Sequence, residues 1–114
     1  MTVHELSAAI SGELASSANA SGEVKCALAC DLLSLVMAKG RPGCAWVTVQ
    51  THLNVIAVAS LHEMSCVIFP GGIDADEATL QKAYEEGLAV IKSPLSTYEI
   101  CGILYAKGVP ASEE

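Results

Sequence analysis

Four hydrogen-bonding side chains interrupt the apolar stretch "TVQTHLNVIAVAS" at residues 48–60, where a predicted strand passes into a predicted helix. They are Gln50, Thr51, His52 and Asn54. The first turn of a helix leaves backbone N–H groups unpaired, and these groups attract anions. We therefore predict a phosphate or carboxylate site at this elbow (residues 50–54). The alternative is that Thr51 only caps the helix, Gln50 tethers a neighbouring loop and His52 lies on the surface.

Two further loops are predicted to follow strands in the same way. They are "PGGIDAD" and "KSPLST". Ligands of parallel sheets bind beyond the carboxyl ends of the strands, so these loops and the elbow can share a site. The candidate ligand-binding residues are Gln50, Thr51, His52, Asn54, Ser93, Ser96 and Thr97.

The usual motifs of catalysis do not occur in this sequence. It has no phosphate-binding loop, no G-x-G-x-x-G fingerprint and no G-x-S-x-G elbow. The histidines His4, His52 and His62 are far apart and do not form a zinc pattern. We predict no enzyme activity, no catalytic residues, no metal and no cofactor. The alternative is a small-molecule phosphotransfer-related enzyme fragment with His52 as acid or base.

Strands and helices are predicted to alternate from residue 44 onward. The strand patterns are "CAWVTV", "SCVIF" and "LAVIK". The helix patterns are "HLNVIAVASLHEM", "DADEATLQKAYEEG" and "SPLSTYEICGILYAKG". Asp74 or Asp76 is expected to cap the second helix and Ser96 or Thr97 the third, because short polar side chains favour that position. Gly87 and Gly108 are predicted to end these two helices.

The first 43 residues have a less regular pattern. Residues 1–22 are expected to hold a short helix, with Thr2 and Glu5 in capping-box spacing, and one weak strand. "EVKCALA" is a strand candidate, and "DLLSLVMAKG" is a predicted helix with Asp31 as its N-cap. The tail at residues 110–114 is expected to be frayed.

Short β–α connections predict a parallel sheet with right-handed crossovers and helices on its faces. The predicted fold class is α/β, a single-domain, three-layer Rossmann-like fold with a mostly parallel sheet over residues 1–114. A chain of 114 residues with 52% hydrophobic residues can bury a core of this kind.

The charge of the chain limits its partners. The formal net charge is −7, from 13 acidic and 6 basic residues. Nucleic acids and anionic membranes both require a basic surface, so we predict neither as a partner. The N-terminus lacks the basic and apolar regions of a signal peptide, and we expect a cytoplasmic protein.

The five cysteines are odd in number, and no two have C-x-x-C spacing. Free thiols in a reducing compartment are the expected state. The alternative is that Cys26, Cys30 and Cys44 hold a metal or an iron–sulfur cluster.

Three segments together resemble the DRTGG domain family. They are "ALACDLLSLVMA", "WVTVQTHLNVIAVASL" and "SPLSTYEICGILYAKGV". The resemblance covers roughly residues 20 to 109, and "Q-T-H-x-N" is its most distinctive element. Where the family's signature has its glycine pair, this chain has Cys26 and Ala27 in "GEVKCALACDLLS". These residues tolerate left-handed backbone poorly, so an ordinary strand is expected here.

The resemblance implies a non-catalytic regulatory or assembly domain that forms a homodimer. Members occur as accessory parts of larger enzymes and as stand-alone proteins, loosely named HPr serine kinase-like, that are associated with iron-only hydrogenase gene clusters. It therefore implies a protein partner, a hydrogenase or an associated regulator, or alternatively a redox or iron–sulfur accessory role. We predict that the elbow senses a small anionic or nucleotide ligand. The very apolar helix at residues 53–61 is a candidate interface.

Overall fold

One five-stranded sheet organises the chain in a computed structural model that describes residues 1–112. The strands are β1 (Glu13–Ser16), β2 (Cys26–Ala29), β3 (Cys44–Val47), β4 (Cys66–Phe69) and β5 (Ala89–Lys92). Their order in the sheet is β1-β5-β4-β3-β2. Strands β2 to β5 are parallel, and β1 is antiparallel to β5 with a register shift between Leu14 and Ser16. The prediction of a mostly parallel Rossmann-like sheet is confirmed.

The helices lie on both faces of this sheet. They are α1 (Val3–Ala9), α2 (Leu33–Lys39), α3 (Leu53–Leu61), α4 (Glu77–Glu85) and α5 (Thr97–Ala106). The steps from β2 to β3, β4 and β5 all run in one direction across the sheet, so right-handed crossovers place α2, α3 and α4 on one face. After β5 the chain returns towards β2, and this reversal places α5 on the other face with α1.

Each face has its own apolar core. Trp46, Val55 and Phe69 belong to the core beneath α2, α3 and α4. Leu6 and Ile100 belong to the core beneath α1 and α5. Every residue of β3 and β4 is buried, which is expected for central parallel strands covered on both sides.

The ends of α1, α4 and α5 follow the sequence. Thr2 and Ser96 form the predicted capping boxes, and Asp76 caps α4 by accepting a hydrogen bond from the Thr79 N–H. Gly87 and Gly108 follow α4 and α5 with positive φ angles of 72° and 84°, which glycine adopts without strain. The predicted cap at Asp31 is wrong.

Residues 110–112 of the carboxyl-terminal tail are hydrogen-bonded to the sheet where the tail was expected to be frayed. The Ala27 N–H donates to the Pro110 carbonyl, and the Ser112 N–H donates to the Ala27 carbonyl, both across 2.9 Å. Residues 110–112 thereby extend the sheet beside β2 and correct the prediction, because the free edge of β2 offers them hydrogen-bond partners. Residues 113–114 lie outside the described residues.

The prediction for residues 1–22 covers α1 and β1, and β1 is the expected weak strand. Within residues 1–112, no helix combines the length and the apolar character needed to span a membrane.

Candidate functional site

An open cavity of about 940 Å³ lies beside the elbow. We call it the elbow cavity. Residues 31–34 at the start of α2, the elbow itself, and Asp76 and Thr79 at the start of α4 form its lining. Its volume falls within the usual range for small-molecule sites. Four of the seven predicted ligand-binding residues therefore share one cavity, namely Gln50, Thr51, His52 and Asn54.

His52, not Thr51, occupies the N-cap position of α3. Its Nδ1 accepts a hydrogen bond from the Asn54 N–H across 3.4 Å. The prediction that Thr51 caps the helix is therefore wrong, because the helix begins one residue later than expected. Since Nδ1 acts as an acceptor, Nε2 carries the hydrogen of the neutral ring and is the available donor.

Asp31 fixes the shape of the elbow. Its Oδ1 accepts hydrogen bonds from the Thr48 hydroxyl across 2.7 Å and from the Val49 N–H across 2.9 Å. The Thr48 hydroxyl also accepts a bond from the Gln50 N–H across 3.2 Å. The carboxylate therefore anchors β3 instead of capping α2, where Leu32 holds the N-cap position without a side-chain bond. A polar residue directly after an apolar strand is the feature of the sequence that could have indicated this contact. That residue is Thr48, and the structure buries it almost completely.

Asp76 and Thr79 add a second polar wall that the sequence did not predict. Asp76 Oδ1 accepts a hydrogen bond from the Thr79 N–H across 2.9 Å. The hydroxyl and the N–H of Thr79 hold the pKa of Asp76 below its ordinary value of 3.8, and the nearby His52 ring adds to this effect. Asp76 is therefore ionised at neutral pH and faces the elbow across the cavity.

The Thr79 hydroxyl has an unusual environment. The residue is fully buried, yet within residues 1–112 its Oγ1 forms no hydrogen bond of normal geometry, although it lies close enough to Asp76 to affect that pKa. Leaving a buried hydroxyl unpaired costs about 1–3 kcal/mol. Thr79 lines the elbow cavity, but its Oγ1 has almost no exposed surface, so a bound molecule would reach it only after the surrounding side chains moved.

The charges around the elbow cavity are one-sided. Asp31 and Asp76 line it, and neither lysine nor arginine is among the described residues that do so. Positive potential comes from the amino-terminal ends of α2, α3 and α4; α2 has no side-chain cap, and the N–H groups of α3 and α4 are partly used by His52 and Asp76. A phosphate requires hydrogen-bond donors, whereas the two carboxylates of the cavity are acceptors.

The other three predicted ligand-binding residues lie outside the elbow cavity. Ser93 is buried, where its hydroxyl donates to the Ile10 carbonyl across 2.7 Å, and Ser96 is engaged in the capping box of α5 with Glu99. Thr97 is the first residue of α5. The structure does not bring Ser93, Ser96 and Thr97 to the elbow cavity, because β4 separates β5 from β3 and the chain after β5 carries α5 to the opposite face.

The cysteines do not gather into a metal site. Among residues 1–112, no three His, Cys, Asp or Glu side chains lie close enough to hold a metal ion. Cys26 and Cys44 are register partners on β2 and β3, whereas Cys66 belongs to the core of the other face. Burial raises the pKa of Cys44, with Cys26 adding to the effect, and burial raises the pKa of Cys66 to about 12. These thiols stay protonated at neutral pH, which does not suit a nucleophile.

Comparison with known proteins shows the fold. No curated protein sequence and no protein-family model matches the chain. A solved structure of the CBS and DRTGG domains of the regulatory region of Clostridium perfringens pyrophosphatase, complexed with the activator diadenosine tetraphosphate, matches with a TM-score of 0.74. The likeness is one of fold. Sequence identity is 12%, and the match covers 97% of this chain and 48% of that one, so the chain spans about half of the solved structure.

Proposed function

We propose that this chain is a DRTGG-like regulatory domain that binds a nucleotide in the elbow cavity and has no catalytic activity of its own. The elbow cavity of about 940 Å³ carries the proposal, because hydrogen bonds of the fold hold Asp31, His52 and Asp76 in place around it. The fold similarity to a regulatory region in complex with a nucleotide activator supports a nucleotide over other small molecules.

The arrangement around His52 favours binding over catalysis. A general base needs a free ring nitrogen near a reacting proton, and a nucleophile needs a base within hydrogen-bond reach. His52 Nδ1 is used to cap α3, and Asp31 is held by Thr48 and Val49. These polar groups are fixed by the fold in the way that a specific binding site requires.

We further propose that the chain forms a homodimer through α3. Leu53, Ala57 and Leu61 are exposed at i, i+4 and i+8, so they form one apolar stripe along this helix. The helix has no charged residue. Leu53 also lines the elbow cavity, so a ligand there would contact one end of the stripe. A ligand that prefers the dimer would shift the equilibrium towards it.

Thermal unfolding tests the proposed function. AMP, ATP and diadenosine tetraphosphate are each added to the wild-type chain, and the melting temperature is followed. A ligand at 100 times its Kd adds about 2.7 kcal/mol to stability, which corresponds to a rise of about 10 °C for a domain of this size.

The variants His52→Ala and Thr51→Ala should lose most of this rise. His4→Ala is the matched control, because His4 is exposed on α1 on the opposite face and should keep it. If none of the three nucleotides raises the melting temperature of the wild-type chain, the proposed function is wrong.

A further inference from the structure

We infer that the elbow cavity binds the nucleoside end of its ligand, with Asp31 and Asp76 as acceptors for hydroxyl or amino groups. The phosphates of the ligand remain outside the cavity. This inference rests on the proposed function and specifies which part of the nucleotide is recognised. It reverses the expectation from the sequence, which made the elbow an anion site.

The two carboxylates are held in matching ways. Each uses Oδ1 for the fold: Asp31 accepts from Thr48 and Val49, and Asp76 accepts from the Thr79 N–H. The hydrogen bonds found for these two carboxylates all end on Oδ1, and the Thr79 hydroxyl lies close to the Asp76 carboxylate. Both side chains line the cavity, so each presents a rigidly oriented acceptor whose position has been fixed before a ligand arrives.

The charge of the cavity decides which ligand group fits. The two carboxylates disfavour a phosphate, and the described lining contains no lysine or arginine to offset them. The neighbouring hydroxyls of a ribose donate well to a carboxylate, and so does the amino group of a base. A nucleoside therefore satisfies the free acceptors without bringing like charges together.

Neutral polar groups complete the match. The side-chain amides of Gln50 and Asn54 can both donate and accept, and both residues line the cavity. A base carries both kinds of group along its edge, whereas a phosphate carries only acceptors at neutral pH.

Calorimetric titration of the full chain with single probes tests this assignment. The probes are the four ribonucleosides, AMP and inorganic phosphate. The Kd of at least one nucleoside should lie within about tenfold of the Kd of its monophosphate, and inorganic phosphate should not bind.

The variants Asp31→Asn and Asp76→Asn are isosteric. The amide oxygen can keep the bonds that Oδ1 accepts now, and a donor replaces the free acceptor. Both should weaken nucleoside binding by about tenfold, which corresponds to one lost hydrogen bond to a charged group. Asp74→Asn is the matched control, since it removes the same charge from an exposed residue outside the cavity and should leave binding unchanged.

Whether the substitutions weaken or strengthen binding decides between the outcomes. Tighter AMP binding by Asp31→Asn, together with binding of inorganic phosphate, would mean that the carboxylates face the phosphate, and it would overturn the inference. Unchanged nucleoside binding by both variants would also overturn it. If AMP and the nucleosides all fail to bind, the proposed function fails as well, which the thermal test with wild-type protein shows independently.

Discussion

The Thr48 hydroxyl donates a hydrogen bond of 2.7 Å to the Asp31 carboxylate, and this bond joins the ends of two neighbouring strands, β2 and β3, at the elbow cavity. Asp31 follows β2 and Thr48 follows β3, so the contact sets the distance between the loops that line two sides of the cavity. The shape of the candidate site therefore depends on a pair of side chains 17 residues apart.

Replacing Thr48 by Val should loosen this junction without changing its volume. The variant loses the bond to Asp31 and the acceptor for the Gln50 N–H, so the free energy of unfolding should fall by about 2 kcal/mol, as for a bond to a charged group. Urea unfolding measures the loss. Ser60→Ala, which removes an exposed bond to Glu86, should cost much less. Equal losses in the two variants would contradict the role given to Thr48.

Replacing Thr79 by Val should weaken nucleotide binding without lowering the stability of the fold. The unliganded protein should be at least as stable as the wild type, because a buried hydroxyl without a partner of normal geometry is removed. Nucleotide binding should weaken about tenfold, since the hydroxyl also lies against the Asp76 carboxylate that lines the cavity. Calorimetry and urea unfolding together measure both effects, and Thr79→Ser should keep the binding. A clear loss of stability with unchanged binding would show that the hydroxyl is structural.

The α3 stripe predicts the effect of a charge on self-association. Ala57→Arg places a cation in the middle of the stripe and should shift a dimer towards monomer in sedimentation velocity at about ten micromolar protein. Tyr105→Arg is the control, because Tyr105 is 85% exposed on α5 on the other face. Dissociation by Tyr105→Arg alone would place the interface on α5, and a monomeric wild type would remove the homodimer from the account.

The buried thiols predict how stability depends on alkaline pH. Burial raises the pKa of Cys66 from its ordinary value of 9.0 to about 12, and it also raises the pKa of Cys44. Their protonated forms are thus favoured by folding, and this contribution is fully present below about pH 9 and is lost as the pH rises towards 12. Urea unfolding between pH 8 and pH 10.5 should show the decline.

Alkylation gives a second measurement of the same thiols. In native protein at about pH 8, iodoacetamide should leave Cys44 and Cys66 unmodified, and both should react after denaturation. Rapid labelling of Cys66 in the folded chain would show that this core opens readily and would contradict the assignment.

The local pattern predicted most of the secondary structure. The alternation of apolar strands and helices after residue 44 indicated β3 to β5 and α3 to α5 correctly, because periodicity and caps such as Ser96 are local properties. The site was harder to predict. Asp31 and Thr51 both had the composition of helix caps, and in each case the outcome depended on a tertiary contact or on a helix start displaced by one residue.

The placement of Ser93, Ser96 and Thr97 could not be derived from local patterns either. All parallel strands end at the same edge of the sheet, which made one shared site reasonable. The order β1-β5-β4-β3-β2 sends α5 back across the opposite face, and only long-range strand pairing determines that order. Asp76 and Thr79 were missed for the same reason, because they reach the elbow through the packing of α4 against α3.

The most direct test of nucleotide binding in the elbow cavity is a titration of isotope-labelled protein with AMP, followed by two-dimensional ¹H–¹⁵N NMR. The account predicts that the largest shifts fall on backbone amides of the elbow and on Thr79, with little change along α5. An unchanged spectrum at millimolar AMP, or shifts confined to residues 97–106 of α5, would contradict it.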